Sequence, residues 1–283
     1  MLYSELFYSS LRKFKDNAED KRPGIEILLR EAFNLSKTDY WIRKNESVRD
    51  KSALRRFYRW RSRLFKGEPL AYITGKKESF SRDFFLNRNV LIPRPETEIL
   101  IEEAIASLKE RENPVDVLDI GTGSGIIAIN IAIETGARVA AVDKSRPALY
   151  VLKKNIDSYK LRDNVIPVCA DLFPGRYKSK RGPFDLIVSN PPYVSEKEWA
   201  ELPVSIKHYE PKGALIAAED GFAVIRRIAA RAKDYLKPGG RILLEIGHGQ
   251  SANTAKILRE AGFFKVEFVN DYSHIRRVAS AVI

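Results

Sequence analysis

A single cysteine, Cys169, is all the thiol this chain carries, which excludes an internal disulfide and any thiolate metal cluster. Histidine is almost as scarce, and His208, His248 and His274 stand too far apart in sequence to suggest a metal site. No apolar run approaches the roughly 20 residues that a membrane helix needs. The opening Met1-Leu2-Tyr3-Ser4-Glu5 soon turns polar, without a secretory apolar core or a small-residue cleavage site, so the cytoplasm is the expected compartment. What remains is ordinary globular material: 44% hydrophobic and 30% charged over 283 residues, enough for one large domain and one small one.

Acidic charge is in deficit. The net charge is +12, and residues 1 to 70 hold 17 Lys and Arg against 10 Asp and Glu, so a surplus of seven falls in the first quarter. Such a balance suits an acidic partner, nucleic acid or a ribonucleoprotein-associated protein, and a well-solvated basic surface accounts for it equally well.

From Tyr3 to about Lys66 the apolar residues recur at helical spacing, as in Leu28, Leu29 and Phe33, or Leu54, Phe57, Tyr58, Trp60 and Leu64. Pro23 and Gly24 are expected to break the first helix from the second. Ser36 with Thr38 can cap a third, and Gly67-Glu68-Pro69 ends the last. The prediction is a small all-helical domain over residues 1–75. Residues 76–95 read as a β-hairpin linker, with Phe80, Phe84 and Phe85 around Arg82-Asp83. Pro93-Arg94-Pro95-Glu96-Thr97-Glu98 then opens a helix, because proline fits a first turn and acids suit its positive end.

Beyond Pro114 strands and helices alternate. Candidate strands are 115–120, 138–142, 165–170, 184–189 and 241–246, followed by 264–269 and 277–283 with only a turn between them. This pattern predicts a Rossmann-like, doubly wound α/β sheet of seven strands over 96–283, ending in an antiparallel pair. Ligands on such sheets sit beyond the carboxyl ends of the strands.

Two motifs fall at such ends. The first is Gly121-Thr122-Gly123-Ser124-Gly125, whose glycines permit positive φ and close approach by a ligand. A dinucleotide fingerprint would need glycine at the position of Ile126, so a nicotinamide site fits poorly. Twenty-two residues past Gly121, Asp143 is placed to accept from both hydroxyls of a ribose. Asp171 can accept from an adenine amino group, with Leu172 and Phe173 against the ring. The alternative is a plain βα turn with Asp143 as a helix cap. Adenosine without a pyrophosphate points to S-adenosylmethionine, with S-adenosylhomocysteine as product.

The second motif is Asn190-Pro191-Pro192-Tyr193 after the apolar run Phe184 to Ser189. Strand interiors reject proline, so the prolines lie just past the sheet and stiffen the loop. Asn190 offers a side-chain carbonyl and Pro191 a backbone carbonyl, two acceptors for the hydrogens of a planar NH2, while Tyr193 can stack on the group. Asn190 also borders the donor. The chemistry expected is amino-group methylation, in which positioning supplies most of the acceleration.

Together with Gly67-Glu68-Pro69-Leu70-Ala71-Tyr72-Ile73-Thr74-Gly75 and Val90-Leu91-Ile92-Pro93-Arg94-Pro95-Glu96-Thr97-Glu98, these motifs resemble the HemK/PrmC family of protein-(glutamine-N5) methyltransferases over almost the whole chain. The resemblance implies a class I methyltransferase that modifies the glutamine of the Gly-Gly-Gln loop in class 1 peptide chain release factors. It also implies a helical amino-terminal domain that helps seat the factor. The chain is expected to be a monomer. The family commonly has an aromatic residue where Leu172 stands, so adenine packing is either weaker or supplied by Phe173. It often has glycine in the turn that here reads Asp271 to Arg277. The rival enzyme is a nucleic-acid adenine-N6 or guanine-N2 methyltransferase, and a noncatalytic ribonucleoprotein-binding module is a third reading. Cys169 is expected in the core, His248 in solvent, and Trp41, Trp60 and Trp199 in packing or partner contacts. Arg55, Arg56, Arg59, Arg61 and Arg63 form a basic stripe with either a solvated or a partner-binding role.

Overall fold

The computed structural model describes residues 1–13, 18–109, 114–175, 183–218 and 220–283. The chain divides into two compact units, Met1–Lys76 and Lys77–Ile283. In the first, α1 (Tyr3–Leu11), α2 (Ala18–Phe33), α3 (Lys37–Arg43), α4 (Lys51–Phe65) and α5 (Leu70–Thr74) follow one another. Their apolar faces meet in a core that includes Leu6, Phe7, Ile25, Leu28, Leu29 and Phe57. Ser36 caps α3 by accepting from Asp39 N at 2.9 Å, and the Asp39 carboxylate accepts in return from Ser36 N at 3.0 Å. Asp50 caps α4 by accepting from the amides of Ser52 and Ala53.

Two expectations fail in this unit. Pro23 and Gly24 do not break the chain but lie inside α2. Burial of Ile25, Leu28, Leu29 and Ala32 carries the helix through the one hydrogen bond that proline removes. A Cβ on Gly24 would meet Leu64 Cδ2 at 3.5 Å, so the glycine sits where α2 and α4 come close. The arginine stripe is also not a single solvated face. Arg56 Nε donates to Ala32 O, Arg61 to Ser10 Oγ, and Arg63 forks onto the buried Glu68 carboxylate at 2.7 and 2.8 Å. Arg55 and Arg59, one turn apart, are exposed.

From the last residue of the first unit onward, the hairpin β1 (Lys76–Ser79) and β2 (Arg82–Phe85) turns through Phe80 and Ser81, both at positive φ, with Glu98 accepting from Phe80 N and Ser79 Oγ. α6 (Glu96–Leu108) starts at the expected prolines. The sheet comprises β3 (Asp116–Ile120), β4 (Arg138–Asp143), β5 (Val165–Cys169), β6 (Phe184–Ser189), β7 (Leu236–Glu245), β8 (Phe264–Asn270) and β9 (Arg276–Val282). Its order is β5-β4-β3-β6-β7-β9-β8, parallel except for β9, which runs antiparallel to both neighbours. One core lies between the sheet and α6, α7 (Ile126–Thr135) and α8 (Arg146–Ser158). The other lies on the opposite face, against α11 (Ala223–Ala232) and α12 (Ser251–Glu260). Strand residues alternate between them: Val117 and Val139 join the first, Leu118 and Ala140 the second. This is the seven-stranded mixed sheet that the alternating pattern predicts. The short α9 (Glu196–Glu201) and α10 (Val204–Tyr209) follow β6.

β7 begins five residues before the expected Arg241 and runs through Pro238, Gly239 and Gly240, where its pairing with β6 shifts register. Cys169 is exposed rather than in the core. β5 is the edge strand, and its residues alternate between buried and open, as Val165 and Ile166 show. Among the described residues no helix is long and apolar enough to cross a membrane.

In the Asp271–Arg277 turn, His274 takes φ +62°, the conformation that glycine adopts without a Cβ penalty. Asp271 closes the turn by accepting from the amides of Ser273 and Ile275 and from Arg277 Nε. Replacing His274 with Gly is expected to raise stability by about 1 kcal/mol in urea denaturation. An unchanged or lower midpoint would show that the side chain itself holds the turn.

Candidate active site

The registers of β3, β4 and β6 bring the two motifs together. Ile120 pairs with Val142 on one side and Ser189 on the other, so Gly121, Asp143 and Asn190 begin at one level beyond the sheet. Strand order reverses between β3 and β6, the place where open α/β sheets bind ligands. A cavity of about 290 Å³ opens there, walled by Gly121 to Ser124, Asp143, Asp171, Leu172, Asn190 and Pro192.

The glycine turn is tied to β4. The amides of Gly121 and Thr122 both donate to Val142 O, at 2.8 and 2.9 Å, and Gly123 N donates to Asp143 Oδ2 at 3.0 Å. Asp143 Oδ1 accepts from Ser145 N at 2.8 Å, so each carboxylate oxygen is fixed by one backbone donor and keeps further lone-pair capacity. Beneath the turn, Thr122 Oγ1 donates to the fully buried Asp119 at 2.6 Å, and burial pushes that carboxyl up to about 7. Gly125 does not wall the cavity. It precedes α7 at φ +84°, and a Cβ there would lie 2.2 Å from Leu152 Cδ1, so packing explains its glycine.

At the rim, Asp171 pairs with Arg227 at 2.6 Å. Leu172, at φ +68°, forms wall, but Phe173 does not supply the ring contact expected of it. It is buried and stacks on Tyr235 at 4.6 Å between centroids. The stretch Val90 to Glu98 supplies more wall through Val90, Leu91, Pro93 and Thr97, and Arg94 anchors it to buried Glu210 at 2.7 Å.

At the end of β6, Asn190 Nδ2 donates to Thr97 Oγ1 at 3.1 Å, and Thr97 Oγ1 donates to Glu245 Oε2 at 2.8 Å. Tyr193 does not wall the cavity. Its hydroxyl donates to Glu245 Oε1 at 3.4 Å, and its carbonyl accepts from Gln250 Nε2 at 2.9 Å. Pro191 is buried within the loop. Burial, with Glu245 beside it, raises the Tyr193 phenol, so it stays protonated. Burial likewise pushes the Glu245 carboxyl up to about 7, against the hydrogen bond from Thr97.

Thr97, Glu245, Glu210 and Arg227 take part in the site beyond the residues to which the motifs point. Glu245 carried one signal, an acid at the end of the apolar run Ile242-Leu243-Leu244. His248 is exposed, and among the described residues no group of side chains could hold a metal ion.

The methyltransferase small domain family matches residues 96–217, and the PrmC N-terminal domain family matches residues 9–75. A release factor glutamine methyltransferase from Chlorobaculum tepidum is 34% identical, over 98% of this chain and 96% of its own. The chain belongs to the release factor glutamine methyltransferase family. A bifunctional methyltransferase from Rickettsia prowazekii is 36% identical over 90% of this chain, which spans about half, 54%, of that relative's length. A methyltransferase structure from Pyrococcus furiosus shares the fold, with a TM-score of 0.53 at 17% identity over 78% of this chain and 96% of that one.

The raised Glu245 carboxyl makes stability depend on pH. Folded, it holds its proton up to about 7, whereas its ordinary value is 4.5. Its contribution is therefore complete below about pH 4.5 and is lost as pH rises through 7, on the order of 3 kcal/mol. Chemical denaturation across this window is expected to give a shallower pH slope for Glu245→Gln than for the wild type. Equal slopes would place the titration elsewhere.

Proposed function

We propose that this chain transfers a methyl group from S-adenosylmethionine to the side-chain amide N5 of the glutamine in the Gly-Gly-Gln motif of class 1 peptide chain release factors, releasing S-adenosylhomocysteine. The observation that carries this reading is the position of Asn190, on the wall of the cavity that also holds the glycine turn and Asp143. With its Nδ2 committed to Thr97, Asn190 has its carbonyl left to accept from an incoming NH2.

The cavity suits the donor in its chemistry. Glycine backbone at positive φ leaves room for close approach, and a fixed carboxylate at Asp143 can accept from two vicinal hydroxyls. Asp171 and Leu172 border the far end, toward the adenine. Bound there, the donor supplies a sulfonium methyl, already a strong electrophile. Asn190 and the Pro191 carbonyl hold the two amide hydrogens, so that the nitrogen faces that carbon in line with the departing sulfur. Pro192 and Tyr193 keep the loop in place, the latter through its hydrogen bond to Glu245. The N–C bond forms as the S–C bond breaks, and one amide proton is released. Orientation is the chief means of acceleration. The reading implies the cytoplasm, where release factors act. Arg55 and Arg59 are outward charges of α4 offered to such a partner.

Incubating the chain with labelled donor and an unmodified release factor is expected to add 14 Da, the mass of one CH2, to the Gly-Gly-Gln peptide, read by mass spectrometry. Label appearing only in duplex nucleic acid would instead support the rival enzyme. Asn190→Ala is expected to abolish transfer, by about 100-fold or more, with donor affinity nearly unchanged. Asp143→Ala is expected to weaken donor binding about 10-fold or more, as loss of a charged hydrogen-bond acceptor does. The opposite split would reverse the two roles. Arg55→Glu with Arg59→Glu is expected to weaken capture of the factor without altering donor affinity, and undiminished capture would remove α4 from the interface.

A further inference from the structure

An asparagine amide has two ends of opposite hydrogen-bonding character. If Asn190 presented its NH2 to a substrate NH2, two donors would face each other. Only the carbonyl end can hold the substrate, and a half-turn about the last side-chain bond exchanges the two. Something must therefore decide which end faces the cavity.

We infer that Thr97 and Glu245 are positioning residues that set the direction of the Asn190 amide, so that its oxygen and not its nitrogen meets the methyl acceptor. This inference rests on the role proposed for Asn190. The protons along the chain of contacts decide the direction. Ionised, above its titration at about 7, Glu245 only accepts, and its Oε2 lies 2.8 Å from Thr97 Oγ1. Thr97 has one hydroxyl proton, and that contact uses it. At 3.1 Å from Asn190, Thr97 is then left with lone pairs alone. Asn190 must offer it the NH2, and the carbonyl swings to the other side.

Each link is fixed by the fold. Thr97 is buried in the first turn of α6, placed by the Pro93-Arg94-Pro95 lead-in that Glu210 anchors. Glu245 ends β7, and the residue before it, Leu244, pairs with Ser189, so the acid stands beside Asn190 across the sheet. Its second oxygen accepts from Tyr193, which makes the loop's own tyrosine a donor that keeps the carboxylate from turning. Neither Thr97 nor Glu245 needs to touch the reacting atoms.

The test uses the full chain, labelled donor and an unmodified release factor. Thr97→Val keeps the shape and removes the hydroxyl, and is expected to lower kcat about 10- to 100-fold with donor affinity near wild type. Thr97→Ser should restore kcat to within about 3-fold, because its hydroxyl has the same donor and acceptor inventory. Glu245→Met leaves Thr97 in place but frees its proton to meet the Asn190 oxygen, so it should lower kcat to a similar degree. The double variant should be no slower than the slower single, since both cut one line of contacts. Thr97→Val turning over at the wild-type rate would overturn the inference. So would losses that multiply in the double variant, loss of donor binding in step with kcat, or a Ser variant as slow as Val. Should Thr97→Val fail to fold, Glu245→Met with Thr97 intact carries the same expectation. Wild-type protein inactive on the release factor would instead remove the functional reading, and this inference with it.

Discussion

The site depends on a matter of register. Ile120 lies opposite both Val142 and Ser189, so the sheet releases three chains at one height. A one-residue slip of β6 would carry Asn190 about 3.3 Å along the strand and send its side chain to the other face. The slip is resisted by alternation, since Leu186 and Val188 fill one core and Phe184 and Ile187 the other. Ser189 adds a local lock by donating to Ile120 O at 2.7 Å. Packing over the whole sheet is thus what holds an amide and a glycine turn on facing sides of one cavity.

Much of this was legible because it is local and periodic. The seven strands, the helical first unit, the proline-led start of α6 and the placement of both motifs beyond strand ends all follow from spacing and from where proline and glycine are tolerated. The failures have physical causes. Pro23 and Gly24 obey a local rule that burial of Ile25, Leu28 and Leu29 overrides. Cys169 lies in an apolar run, yet facing direction on an edge strand depends on which layers cover it, and that is decided by strand order. Leu172 and Phe173 differ by one position, and the positive φ of Leu172 sends the two side chains to different surroundings. Thr97 and Glu245 meet across 148 residues of chain, and a threonine in a helix's first turn reads as a terminus residue until its partner is seen.

The family signature also acquires a physical content. Val90 to Glu98 is wall, anchor and positioning element at once: Val90, Leu91 and Pro93 face the cavity, Arg94 holds Glu210, and Thr97 reaches Asn190. Gly67 to Gly75 works differently. Its two terminal glycines take φ +80° and +76°, and Glu68 between them is buried against the Arg63 fork. That stretch closes the end of α4 and starts α5, and its demands are those of folding rather than of chemistry.

Two acid–threonine pairs lie under the two halves of the cavity. Asp119 accepts from Thr122 beneath the glycine turn, and Glu245 accepts from Thr97 beneath the asparagine loop. Both acids are fully buried, and burial pushes both up to about 7, so each opposes folding near neutral pH. Apolar residues of similar volume would be expected to pack there at less cost. What an apolar residue cannot do is fix the direction of a neighbouring hydroxyl, and through it the side chain or turn that the hydroxyl touches. The methyl transfer proposed, which relies on placing a poor nucleophile, would need that direction more than the stability.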